Sequence, residues 1–492
     1  MASSQGGVVE DSIRLDARAL IRVNVGVATM LLAVLALFVE PALSVVFLLV
    51  PTLLVVAERC PRDAVTVLTV FVILLSAIPS GLVVGPLGGA GRPSMLVGMA
   101  AAWWWFHARL LPDGGVATGF QPVRWAMYAF GGTVAISYVA ASVRPIAGAE
   151  ALAADRNLLY AIALFGILAL AADGIATRDR LDTFLRRLVA AAAVLSVVGI
   201  LQFRGYDISG VFRLPFLSEI AGLADVQDRG SQRRVAATAS HPIEFGVVLA
   251  FIFPLALHYA LYARRNPRIA RLAMILIAVA IPMSVSRSGT LAVGISFLTM
   301  WFTWPNRQKV NTALLTALFL IIMRFAIPGL LGTIRYLFLH IFDDESYEGR
   351  RQDYTLVGQF IKERLVFGRG FGTFLPELYT YLDNQYLGLL IEVGVIGTAA
   401  FVGLLLVGIG CARGARHHAD PETRSLGQAL AGAIFAALVT VGTFDLLAFG
   451  IASGVLFLLV GCAGALWRLT ADTRTTEATD LSGARPILVP AS

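Results

Sequence analysis

Lysine is almost missing from this chain: Lys309 and Lys362 are the only two among 492 residues. Charge of any sign is scarce at 14%, against 57% hydrophobic residues and a mean hydropathy of +0.77. So little charge excludes both a soluble globular protein and a disordered one, and leaves the polytopic membrane class. Cysteine is limited to Cys60, Cys411 and Cys462, near or within apolar runs and without metal-ligand spacing. That excludes a disulfide framework and a zinc site. The net charge of +7 therefore rests on arginine. In a membrane protein such a balance reflects cytoplasmic loops, so nucleic acid is not an expected partner. A glycine-rich phosphate loop between a strand and a helix is also lacking, so no nucleotide-sugar site is expected. No short-period repeat and no soluble domain are evident.

What is present is a succession of apolar runs. Crossing a bilayer takes roughly 20 apolar residues, with about 17 to 25 tolerated. On that measure spans fall at 22–39, 42–57, 64–85, 95–110, 125–142, 157–173, 184–203, 242–262, 270–285, 288–304, 310–327, 385–410, 427–444 and 446–467. The expected fold is an all-α polytopic integral membrane protein of about 12–14 transmembrane helices. The chain then divides into a cytoplasmic tail (1–21) on an uncleaved first helix, N-terminal transmembrane helices (22–203), and helices with an outer arginine-rich loop (204–328). A long extracytoplasmic loop (329–384), C-terminal transmembrane helices (385–467) and a disordered cytoplasmic tail (468–492) complete it. Membrane lipids are its obligatory surroundings.

Arginine placement orients the spans. With the N-terminus inside, Arg59 and Arg62, Arg109 and Arg124, Arg178 to Arg187, Arg264 to Arg271, Arg307 and Lys309, and Arg413 to Arg424 all fall on inner flanks, as the positive-inside rule asks. Both termini are then cytoplasmic. The outer loops early in the chain hold only Arg92, Arg144 and Arg156. Three later regions break the rule: loop 204–241, the tight turn at Arg287, and the long loop with Arg350, Arg351, Lys362, Arg364 and Arg369. Cations kept on the disfavoured side point to an anionic ligand.

Within the long loop, Tyr354, Val357, Phe360, Ile361 and Leu365 recur at helical spacing, which predicts an amphipathic helix over 352–365 that lies on the membrane or caps a cavity. Gly368-Arg369-Gly370-Phe371-Gly372 then forces a turn. Arg287, in Ser286-Arg287-Ser288-Gly289, either snorkels to lipid phosphates or faces inward to hold a substrate phosphate, with both serines as further donors. Arg234 precedes Ser240-His241-Pro242, which reads as a helix start. His241 is a cap or part of an anion site there. Asp383 is an N-cap, a general base for an acceptor hydroxyl, or both. Glu392, deeper in the same helix, needs an arginine or polar partner. Tyr386 contacts a sugar or belongs to the interfacial belt. Asp343-Asp344-Glu345 reads as a solvated patch rather than a cation site, and no metal or cofactor is expected.

These segments, taken in order, resemble a known group. They are Gly199-Ile200-Leu201-Gln202-Phe203, Arg234 with Ser240-His241-Pro242, Ser286-Arg287-Ser288-Gly289, Gly368 to Gly372, and Asp383-Asn384-Gln385-Tyr386-Leu387 through Glu392-Val393-Gly394-Val395-Ile396-Gly397. The group is the O-antigen ligase / O-antigen polymerase superfamily of bacterial membrane glycosyltransferases. The resemblance covers about 199–410. It implies a metal-independent, inverting transfer of a glycan from a polyprenyl (undecaprenyl-type) diphosphate at the outer face of the cytoplasmic membrane. The acceptor is a polysaccharide, lipid or protein, and other envelope polysaccharide assembly proteins are potential partners. It also implies that Arg234, Arg287 and Arg350 or Arg351 hold the diphosphate, that Asp383 is the base, and that His241, Asn384, Tyr386 and Glu392 contact substrate. The ligases usually carry His-Asn where this chain has Asp383-Asn384, so the base here is a carboxylate, as in some polymerase-like relatives. The competing readings are a polyprenyl-linked oligosaccharide flippase, a small-anion carrier and an envelope scaffold.

Overall fold

The computed structural model describes residues 63–111, 114–206, 217–220, 227–229, 232–263, 266–339 and 357–483. Every span expected from 64–85 onward contains helix, though 64–85 is helical only as far as Ala77. In chain order these are α1 (Ala64–Ala77), α2 (Pro93–Leu110), α3 (Pro122–Ser142), α4 (Gly148–Gly174), α5 (Arg178–Phe203), α6 (Pro242–Tyr262), α7 (Pro267–Met283), α8 (Arg287–Trp301) and α9 (Asn306–Ala326). They continue with α10 (Leu330–Leu339), a helical piece α11 (357–363), α12 (Gln385–Glu392), α13 (Gly394–Gly414), α14 (Pro421–Thr440) and α15 (Gly450–Gly483). Local sequence sets many of the starts. Asp63 accepts the N–H groups of Val65 and Thr66 to cap α1, and proline stands in the first turn of α2, α3, α6, α7 and α14, where its missing N–H costs nothing.

One span needs correcting. The run 385–410 is not a single helix: it breaks at Val393–Gly394 into α12 and α13. Gly394 has φ +68°, a left-handed conformation that glycine adopts without strain. The break lets Val395 and Ile396 donate N–H bonds to the carbonyls of Leu365 and Val366, at 2.9 and 3.4 Å.

Among the described residues, seven helical stretches are long and apolar enough to cross a membrane: Gly148–Gly174, Arg178–Phe203, Pro242–Tyr262, Asn306–Ala326, Gly394–His417, Pro421–Thr443 and Gly450–Ala471. The chain is an all-α polytopic membrane protein. Its core lies where α4, α6, α14 and α15 meet: the apolar window of α15 is 94% buried and that of α6 is 89% buried. The window of α9 is only 11% buried, so its apolar surface faces outward, as a lipid-facing helix requires. Among the described residues, strand is confined to two short antiparallel pairs. Leu82–Val83 (β1) joins Ser218–Glu219 (β2), and Gln227–Arg229 (β3) joins Gln232–Arg234 (β4).

The helices alternate in direction, which sorts the loops into two ends. One end gathers 78–92, 143–147, 232–241, 284–286, 364–384 and 441–449. Hydrogen bonds join these loops: Ser80 N–H to the Thr238 carbonyl (2.9 Å), Val235 N–H to Met283 (3.4 Å) and Gln385 N–H to Phe444 (3.2 Å). The other end holds Arg109, Arg124, Asp173, Arg180, Asp182 and Arg186.

Candidate active site

Segment 234–241 is fastened from below. Buried Gln202 takes the Ala237 N–H on its Oε1 at 2.7 Å and returns its Nε2 to the Ala237 carbonyl at 3.5 Å. Ala237 itself is left-handed (φ +53°), a conformation a side chain resists unless its surroundings hold it. Gly199, one turn before Gln202, makes room for Phe245: a Cβ there would stand 2.4 Å from the ring. The Gly199–Phe203 motif is thus a clamp that shapes the loop carrying Arg234 and His241.

Turn 284–286 has the same character. Val285 is buried at φ +45°, which a β-branched residue adopts only under constraint. Such outliers concentrate at functional sites. The turn sets Ser286 as the cap of α8, accepting the Gly289 N–H at 3.2 Å, and starts α8 with half-buried Arg287. Gly289 allows α8 to approach α6 at Gly246, where a Cβ would meet backbone at 3.0 Å. Arg234 is 8% exposed and donates from Nε to the Ser284 carbonyl at 3.3 Å. Two of the four diphosphate candidates, Arg234 and Arg287, are therefore anchored to one strained turn.

His241 caps α6: its Nδ1 accepts the Ile243 N–H at 3.1 Å. Its ring stacks on Phe449, with centroids 6.0 Å apart and planes at 14°. Burial, with the charge of Arg234 beside it, pushes the imidazole down to about 4. At neutral pH the ring is uncharged with Nδ1 occupied as an acceptor, so Nε2 carries the hydrogen and is a fixed donor. Glu244, fully buried one turn on, accepts Ser240 N–H and Oγ (both 2.8 Å) and the Ile451 N–H (2.6 Å) at the start of α15. It ties the two helix starts together.

The glycine turn is a lock. Gly368 has φ +73°, and a Cβ there would lie 2.2 Å from the Glu392 carbonyl oxygen. Arg369 and Gly370 donate N–H bonds to the carbonyls of Ile391 and Glu392, at 2.8 and 3.0 Å. Glu392, expected to need a partner, takes the Phe374 N–H at 3.2 Å. Arg369 pairs with Glu150 at 2.5 Å and bonds Tyr379, whose hydroxyl also donates to Glu150 at 2.6 Å. Its guanidinium lies over the rings of Phe360 and Tyr379. Of the cationic cluster, Arg369 is thus a fastening residue, while Lys362 and Arg364 are exposed. Arg350, Arg351 and the acidic run 343–345 lie outside the described residues, as does the first half of the expected amphipathic helix. Its second half is α11, which packs Val357, Phe360 and Ile361 onto Leu382, Ile391, Phe374 and Leu387.

At the start of α12 the cap is Asn384, not Asp383. The Asn384 Oδ1 accepts the N–H groups of Tyr386 (3.0 Å) and Leu387 (3.3 Å), which occupies that oxygen and leaves Asp383 exposed just ahead of the helix. Tyr386 gives its hydroxyl to the Leu438 carbonyl and packs beside Gly442, so it holds α12 to the end of α14. Gln385 bridges to the turn 441–449: its N–H reaches the Phe444 carbonyl, and its Oε1 accepts the Leu447 N–H at 2.7 Å. The same turn bonds Thr443 to Ser288 at 2.8 Å, next to Arg287, and carries the Phe449 that stacks on His241. It joins the arginine side of the site to the Asp383 side. It also carries Asp445, which the sequence reading passed over. A carboxylate between two apolar runs was the available signal, the same one that singled out Arg287.

Comparison of the whole chain with curated proteins gives no match. A family model described as O-antigen ligase matches residues 272–402, which hold Arg287, the glycine turn, Asp383 and Glu392 and stop short of Arg234, His241 and Asp445. Over this stretch the chain is similar to the O-antigen ligase superfamily.

Proposed function

We propose that the chain passes a glycan from a polyprenyl diphosphate to a polysaccharide, lipid or protein acceptor at the outer face of the cytoplasmic membrane, with both termini inside. The observation that carries this reading is the arrangement around turn 441–449. Two arginines and a neutral imidazole donor stand on one side of it, and an exposed carboxylate stands on the other.

In this mechanism Arg234 and Arg287 bind the diphosphate, and His241 donates its Nε2–H to a phosphate or bridging oxygen. As the bond between the anomeric carbon and the diphosphate breaks, charge develops on the leaving oxygen. Preorganised guanidinium groups stabilise that charge more in the transition state than in the bound donor. Asp383 takes the proton from the acceptor hydroxyl as its oxygen forms the new bond at the opposite face of that carbon, which inverts the configuration. A positioned base typically contributes about 10²–10⁴-fold. The guanidiniums supply the charge that a divalent ion supplies elsewhere, so transfer is expected to persist in EDTA. Arg350 and Arg351 enter the proposal on the resemblance alone. Asn384, Tyr386 and Glu392, each engaged with backbone, hold the substrate-facing elements in place.

The test is reconstitution of the purified protein with a polyprenyl-diphosphate oligosaccharide and candidate acceptors in EDTA, with products read by gel and mass spectrometry. A ladder of repeats identifies a polymerase, and a single transfer identifies a ligase. Donor moved across the bilayer with no new glycosidic bond would replace the proposal by a flippase.

A further inference from the structure

Asp445 lies beyond the residues matched by the family model, in the turn between α14 and α15. It is half-buried, with the backbone amides of Leu447 and Ala448 beside its carboxylate. Gln385 straps this turn to α12 on both sides of Asp445, through the Phe444 carbonyl (3.2 Å) and the Leu447 N–H (2.7 Å). The strap brings the Asp383 charge close enough to act on Asp445. Among the described residues neither carboxylate is in a salt bridge. A fold that sets a half-buried carboxylate beside an exposed one keeps it at an electrostatic cost, and such like-charge pairs concentrate where a proton is to be taken up.

We propose that Asp445 is a positioning residue of the transfer site, the second carboxylate of a pair that acts through Asp383. The inference rests on the reading of Asp383 as the proton acceptor. In that reading the acceptor O–H bond breaks as the new C–O bond forms, and the proton passes to Asp383. Taking it up removes one of two neighbouring negative charges, and this is how Asp445 acts on the step. The proton then leaves to water when product departs. The event belongs to the pair, and its titration is a property of both groups.

The charge environment fits. Asp383 faces Asp445 from the loop before α12, Glu392 from the far end of α12, and Tyr160 from α4. Burial and the charge of Asp383 push the Asp445 carboxyl up to about 6. With Asp383 neutralised, the like-charge part of that rise disappears, while the larger part, due to burial, stays.

Two readouts on the full-length protein in lipid nanodiscs test this. The first is infrared titration of the protonated carboxyl C=O band, which needs no activity. A band growing in as pH falls through about 6 is expected in the wild type. It should be missing in Asp445→Asn and displaced to lower pH in Asp383→Asn. A band unchanged in Asp445→Asn, or unmoved in Asp383→Asn, overturns the pair. Should Asp445→Asn fail to fold, Asp383→Asn alone still reads the coupling. The second is single-turnover glycan transfer across pH. Asp445→Asn should lose about tenfold or more in rate, with the KM for donor unchanged and the acid limb displaced to lower pH. An unaltered pH profile overturns the role. A wild type that shows the coupled titration yet transfers nothing would remove the glycosyltransferase reading, and the role of Asp445 with it, while the pair itself stands.

Discussion

The two ends of the bundle treat charge differently. At the end away from the site, Asp173 meets Arg124 at 2.7 Å, with side chains 0% and 4% exposed, and also takes the Trp105 indole N–H at 3.0 Å. Asp182 binds Arg186 at 2.6 Å and accepts the Tyr259 hydroxyl at 2.9 Å, while Arg468 donates to the carbonyls of Ala172 and Ile175. Each of these charges is met by a neighbour. At the site end a histidine is held uncharged, an aspartate stands exposed, and a second aspartate is placed where the first repels it. Arginine number does not separate the two ends, but the partners do. Arg369, bound to Glu150 and Tyr379, shows that even the site end holds charges of the first kind.

Substitutions can break this comparison at several points. The largest effect is expected from Asp383→Asn, which should lower transfer by about 10²–10⁴-fold with thermal unfolding unchanged. Retained turnover would make Asp383 one more solvated loop residue. Next comes Arg124→Ala, which takes the nearer cation from buried Asp173 and leaves it Arg109 at 3.8 Å and the Trp105 indole, and which should cost up to about 3–5 kcal/mol of stability, read as a drop in the unfolding midpoint in detergent. Equal stability would place the two ends on the same footing. Gly394→Ala puts a side chain at φ +68° with its Cβ 2.3 Å from the Val366 carbonyl oxygen. The left-handed backbone alone should cost about 1–3 kcal/mol, and transfer should fall with stability, since the glycine turn is a lock. The smallest effect is expected at Arg180→Ala. Its pair with Asp63 is 41% exposed on the arginine side, so the loss should stay below about 1 kcal/mol, with transfer unaffected.

The helical fold was legible because apolar runs of membrane-crossing length leave few alternatives. The break in 385–410 was not, since hydropathy passes smoothly through Val393 and Gly394 and only the incoming Leu365 and Val366 carbonyls call for it. The described arginines on the disfavoured side gather at the end that carries the two strained turns. Their individual roles were hidden, because Arg369 and Arg287 look alike in sequence, while Glu150, the partner that decides the matter for Arg369, lies 219 residues away. The glycine and Gly199–Phe203 motifs were visible as motifs. That they shape backbone at Ala237, Gly368 and Gly394 becomes clear only from what a Cβ or a bound amide would meet there. Asp445 was missed because one aspartate between two apolar runs reads as an ordinary loop, and the Gln385 bridge that gives it meaning spans 62 residues.

The most direct test of the central claim is glycan transfer by the purified wild-type protein, with Arg287→Ala compared under the same conditions. The arrangement described here predicts a new glycosidic bond and release of polyprenyl diphosphate by the wild type. It also predicts transfer reduced by orders of magnitude in a variant that folds normally, because a donor to the leaving diphosphate is gone. Full transfer by folded Arg287→Ala, or donor left intact by the wild type with acceptors supplied, would contradict it.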